Sequence, residues 1–202
     1  MLGPIGIDMF LAGVPNIAEG LGSTPNRVIA SISTVMLGNA VGQLVLGPAS
    51  DRFGRKPIIL LTLFLFAGAA LASGLSPSIE YLIFWRFIQG LAISGGRILA
   101  AAVARDLFDR EQLGKMMADI LFVTSLAAIM FPIIGGQIAQ YLPWQWLFWT
   151  MTLSGTLVFL LFKFFYQETI EQRNPKALWP NYLLTNWLAT VRNPVFVRYV
   201  LC

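Results

Sequence analysis

The stretch Gly47-Pro48-Ala49-Ser50-Asp51-Arg52-Phe53-Gly54-Arg55-Lys56-Pro57 is a short charged island between two long apolar runs, residues 28–46 and 58–75. A connection this short cannot carry the chain across a hydrocarbon core about 30 Å thick. Both apolar runs therefore meet on one side of a membrane. Arg52, Arg55 and Lys56 mark that side as cytoplasmic, because short loops rich in Lys and Arg stay inside. Each remaining residue has a physical reading. Gly47 allows two helix backbones to approach closely. Asp51 is a carboxylate at membrane depth that needs a cation or a helix N-terminus. Gly54 permits a tight reversal, and Pro57 suits the first turn of the next helix.

The composition agrees with a membrane. Of 202 residues, 56% are hydrophobic and 12% charged, with a mean hydropathy of +0.69. Soluble domains carry about 25% charge, so the chain reads as an integral membrane protein. The net charge of +4 does not point to nucleic acid, since the cations sit in loops beside apolar runs. There is no histidine, and the single cysteine is Cys202. That excludes histidine acid–base chemistry, a disulfide framework and Cys/His metal sites. No metal, no cofactor and no enzymatic activity are expected, because no cluster of nucleophile, base or metal ligands exists.

Six segments are long and apolar enough to be read as spans: residues 1–16, 28–50, 57–74, 79–103, 116–141 and 144–166. The first is short and lacks the basic start and cleavage site of a signal peptide. Eleven cations lie in one set of connections: Arg52, Arg55, Lys56, Arg105, Arg110, Lys115, Lys163, Arg173, Lys176, Arg192 and Arg198. The opposite set holds one, Arg27. Both termini are thus expected in the cytoplasm. Residues 167–202 turn polar and read as a cytoplasmic linker, with a moderately amphipathic piece at 178–191.

Charges inside the spans are the candidate functional residues, since lipid rejects them. Asp8 lies in the first span and Arg86 in the fourth, each eight residues from the outer end, about 12 Å deep. Arg97 follows Arg86 by three turns, with Gln89 and Gly90 between. The pattern predicts a polar stripe facing a cavity, with Arg97 alternatively reaching the headgroups. In the fifth span, Pro132 kinks the helix and Gly135 and Gly136 permit close contact. Gly38, Asn39, Gly42 and Gln43 read as packing positions in the second. Trp144, Trp146 and Trp149 form an aromatic belt at the outer interface.

The separated motifs resemble one family. Gly47–Lys56 is similar to the loop between helices 2 and 3 of major facilitator superfamily transporters. Asp8-Met9-Phe10-Leu11, Arg86-Phe87-Ile88-Gln89-Gly90 and Pro132-Ile133-Ile134-Gly135-Gly136 resemble motifs of its drug:proton antiporters, in particular the bicyclomycin/chloramphenicol-resistance (Bcr/CflA) group. Arg105-Asp106-Leu107 and Asn193-Pro194 also look like that group's loops. Ala12 stands where the group usually has proline, and Phe131 where antiporters usually have glycine. The resemblance implies an all-α membrane protein, six transmembrane helices forming the N-terminal half of a major facilitator fold with 3+3 inverted repeats.

It further implies proton-coupled efflux of small amphipathic drugs across the bacterial inner membrane by alternating access. Asp8, Arg86, Gln89 and Arg97 would serve proton coupling and the cavity. Gly47, Asp51, Arg52, Gly54, Arg55 and Lys56 would form the cytoplasmic gating loop, and Pro132, Gly135 and Gly136 the antiporter motif. The expected partners are a drug, protons, the lipid bilayer and a missing C-terminal half or another copy. The chain is expected to be a truncated half. Rival expectations are a non-transporting fragment that associates with full-length transporters, and an uptake symporter of the same fold.

Overall fold

The computed structural model describes residues 2–170 and 173–179. All but the first two residues of the amphipathic piece expected at 178–191, together with Arg192, Asn193-Pro194 and Arg198, lie outside the described residues. The described chain is helical: α1 (Leu2–Leu11), α2 (Val14–Gly20), α3 (Pro25–Phe53), α4 (Arg55–Gly74), α5 (Ile79–Leu107), α6 (Arg110–Tyr141) and α7 (Gln145–Phe165). Among the described residues, five helices are long and apolar enough to cross a membrane, α3 to α7.

The expected first span is the exception, because it is two short helices with a break at Ala12-Gly13. The cause is local. Pro15 has no N–H to donate to the Leu11 carbonyl, so the α-helical ladder cannot pass through it. The Gly13 amide instead bonds the Phe10 carbonyl at 3.0 Å, and a new helix starts with the proline in its first turn. Of the other spans, α3 to α6 are longer than their apolar stretches suggested, while α7 is one residue shorter at each end. α3 begins at Pro25 and α6 at Arg110, while α5 continues to Leu107. Hydropathy marks only the part of a helix suited to lipid, whereas backbone hydrogen bonding continues into the polar ends.

The charged island is accordingly almost all helix. α3 runs through Pro48 to Phe53, α4 starts at Arg55, and Gly54 alone lies between them. Gly54 adopts φ +107°, which an L side chain rarely tolerates.

α5 lies at the centre, packed on α3 and α4; α4 also packs on α7, and α1 on α6. The closest approach is between α3 and α5. A Cβ on Gly90 would strike the Val35 backbone, and one on Gly38 the Phe87 carbonyl. Small residues matter here because, within lipid, helices are held by close van der Waals contact rather than by escape from water. The core is filled by Met9, Phe10, Ile17, Val35, Phe66, Leu82, Leu147, Phe148 and Met151. By contrast α6 is largely uncovered, with Leu121, Phe122, Leu126, Ile129 and Ile133 all exposed.

The chain after α7 does not trail away. The Asn174 amide donates to the Asp51 carbonyl at 2.9 Å, and Ala177 is buried.

Candidate functional site

Two polar clusters are built on this frame, one inside the bundle and one at the end of α3. The inner cluster is centred on Arg86 of α5, which is 0% exposed. Its Nη1 donates to the Gly6 carbonyl of α1 and to Gln89 Oε1, both at 2.7 Å. The guanidinium carbon stands 4.1 Å from the centroid of the Phe10 ring, so the cation rests on the aromatic face. Nε and Nη2 have no acceptor among the described residues. Gln89, also fully buried, passes its amide on to the Met151 sulfur of α7 at 3.6 Å. One side chain thereby joins α1, α5 and, through Gln89, α7.

Asp8 is not part of that cluster, and among the described residues it forms no ion pair. The reason is angular. Gly6 and Phe10 lie four residues apart on the edge of α1 that covers Arg86, and Asp8 lies midway, about 200° around the helix. Its side of α1 is shared with exposed Leu11. Equal depth on two helices therefore did not mean contact. Arg97 lies beyond the part of α5 that α1 covers. α1 reaches down α5 as far as Ile93, beside Gly3 and Gly6. One turn further along, Arg97 is uncovered and exposed.

α6 meets both halves of the broken first span, α1 at Met9 and α2 at Asn16. A Cβ on Gly135 would strike the Met9 backbone, and Asn16 donates its side-chain amide to the Ala139 carbonyl at 2.5 Å. Pro132 is exposed and Gly136 faces open space, so of the three motif residues only Gly135 makes the close contact.

The second cluster gathers around Arg55, 8% exposed. Its Nη1 donates to Asp51 Oδ1 at 2.6 Å and to Ser50 Oγ at 2.5 Å, and its Nε to Asp106 Oδ2 at 3.0 Å. One guanidinium thus ties the end of α3, the start of α4 and the end of α5. Asp51 has found its cation, four residues away. Arg52 lies over the Phe53 ring at 5.3 Å. Lys56 is only half-buried and forms no ion pair among the described residues. A Cβ on Gly47 would make only an ordinary contact with Ile98, so the tight α3–α5 approach is made at Gly38, Gly42 and Gly90.

Sequence reading did not single out Phe10, Ser50, Asp106, Glu168 or Asn16 as partners. Asp106 carried a trace of signal, as an acid opposite a basic loop. Glu168 carried none, because the α4 amides it accepts from lie more than a hundred residues away.

A family model described as Major Facilitator Superfamily matches residues 1–202. A "Bicyclomycin resistance protein homolog" of Haemophilus influenzae is 38% identical over 99% of this chain and 50% of its own length. An "Uncharacterized MFS-type transporter YdgK" of Bacillus subtilis is 35% identical, covering 88% of this chain and 45% of the relative. "Multidrug resistance protein MdtL" of a Shewanella species is 37% identical over 84% and 43%. The chain spans about half the length of the curated relatives it matches. In structure, it is similar to the human organic anion transporter MFSD10 (TETRAN), with a TM-score of 0.58 and 21% identity over 95% of this chain and 55% of that one.

Proposed function

The chain belongs to the major facilitator superfamily, whose members are membrane transporters and not enzymes, and from that premise we propose that it serves proton-coupled export of small amphipathic drugs. The observation that carries this is the inner cluster. A cation is buried against α1 with two of its nitrogens unmet among the described residues, and a half-buried carboxylate stands on another face of the same short helix. A charged pair at one depth on separate faces is suited to exchange rather than to a fixed salt bridge. Asp8 can take up a proton from the cavity side, while Arg86 holds α1 by its backbone. The names of the relatives in Haemophilus and Shewanella support resistance by efflux.

In this reading the two halves of a transporter rock about a midplane site. These residues supply one half, and a second six-helix unit or another copy supplies the other wall. The Arg55 cluster then acts as the cytoplasmic latch, and the location is the bacterial inner membrane with the Arg55 end inside. The six-helix count with 3+3 repeats follows if α1 and α2 together make one interrupted span.

Drug efflux in everted vesicles under an imposed pH gradient tests the proposal, with the chain joined to a second six-helix half. Efflux that collapses with the gradient is the expected result. Transport that runs inward with the proton would replace the exporter with an uptake symporter.

A further inference from the structure

The N-terminus of α4 has an unusual requirement. Its N-cap is Gly54, held at φ +107°, so the residue that makes the reversal possible has no side chain to cap the helix. The first amides of a helix nevertheless need acceptors. They are found on a different part of the chain. Glu168 Oε1 accepts from the Arg55 amide at 2.9 Å, and Oε2 from the Lys56 amide at 3.2 Å. The same carboxylate accepts from its own turn, from the Thr169 amide at 3.1 Å and the Ile170 amide at 3.3 Å. Tyr166 and Thr169 close that turn through their hydroxyls at 3.0 Å. A few residues on, the Asn174 amide reaches the Asp51 carbonyl. The chain after α7 is therefore fastened to the charged island at two points, on either side of Gly54.

We infer that Glu168 is a positioning residue of the cytoplasmic gate, capping α4 from the linker so that the docked linker and the Arg55 cluster hold each other in place. Three features agree. The cap and the cluster share Arg55, whose backbone meets Glu168 and whose side chain meets Asp51 and Asp106. A Cβ on Gly54 would collide with the Glu168 carboxylate, so glycine is required for the cap as well as for the turn. The anion lies at the positive end of the α4 dipole, where it is favoured. Pulling the linker away, as a moving second half would, uncaps α4 next to the residue that joins three helices. Movement of the linker and opening of the gate are thus one event.

The gate role rests on the proposed transport function, whereas amide hydrogen–deuterium exchange on the 202-residue chain in lipid nanodiscs tests the cap and the docked linker without any transport measurement, so their failure is distinguishable from failure of the export reading. Glu168→Ala should speed exchange in two separate regions, residues 51–58 and 173–179, on the order of fivefold, the size of a lost cap. Residues 82–92 around Arg86 should not change. Glu168→Gln keeps an uncharged acceptor and should give a smaller change in the same two regions. An effect confined to one region, no effect, or a rise throughout the bundle with either variant would overturn the inference.

Discussion

At the scale of single residues, Arg86 carries the largest consequence. A buried guanidinium without a carboxylate partner contributes little to stability, because desolvation offsets its hydrogen bonds. Arg86→Met should therefore change the unfolding free energy by no more than about 2 kcal/mol, yet abolish transport. Arg86→Lys should not restore it, since an ammonium lacks the flat fork that lies on Phe10 and reaches Gly6. Melting in detergent beside vesicle efflux would separate the two effects; full transport by Arg86→Met would exclude a coupling role. Asp8→Asn is the complementary change, removing a titrating group while keeping shape. It should eliminate pH-driven efflux and leave binding of an uncharged drug intact, as measured by ligand-dependent fluorescence and flux.

Glu168 gives a pH prediction of definite sign. Burial works to raise its carboxyl, but amide donors from Ile170, Arg55, Lys56 and Thr169 outweigh this and hold it below the ordinary value of 4.5. Charges around it are Arg55 and Lys56 on α4, Asp51 on α3 and Asp106 on α5 through Arg55, and Arg173 on the linker beside Gly54. A depressed carboxyl stabilises the fold above its unfolded value, and that contribution is lost as pH falls through the lower folded one. Linker protection should thus be constant from about pH 8 to about pH 6 and lost only in acid below the ordinary carboxyl range. Release near neutral pH would mean that another group governs docking.

At the scale of elements, the α3–α5 crossing and the α1–α2 break are the two places where geometry is demanding. Gly90→Ala puts a methyl against the Val35 backbone, which cannot rotate away. Overpacking of this kind costs about 1–3 kcal/mol, so the melting temperature should fall by several degrees. Gly68→Ala on α4 meets nothing within 4 Å. It should be neutral or stabilising by up to about 1 kcal/mol from helix propensity. Equal effects of the two would contradict the close crossing. At the break, Pro15→Ala returns an amide that can reach Leu11, and exchange across residues 12–17 should slow as one helix forms.

At the scale of the molecule, the clearest property is the separation of its two ends. Arg27 pairs with Glu80 at 2.7 Å at one end, with both side chains well exposed, so solvent screens the contact. The buried Arg55 cluster lies at the other. In a Cys202→Ser background, an impermeant thiol reagent applied from outside should label Thr24→Cys and not Lys56→Cys. The reverse pattern would invert the topology. The exposed apolar faces of α3 and α6, including Met36, Leu37, Leu44, Phe122 and Ile133, are where lipid or a second half would lie.

The sequence alone was enough to read a helical membrane protein of this superfamily, and to single out its candidate charges and the island around Asp51 and Gly54. Those features are local: apolar length, cation placement and short motifs are written in neighbouring residues. It also carried the cause of the α1–α2 break, in Pro15, though hydropathy averaged across it. What only the tertiary structure decided was which charges meet. Asp8 and Arg86 share a depth, but helix rotation sets them on opposite sides of α1, and rotation depends on packing at Gly6, Phe10 and Ile93. The same holds for Glu168, an ordinary linker acid in sequence. It becomes the cap of α4 because Gly54 leaves that helix end without one, and because the fold brings the end of α7 beside it.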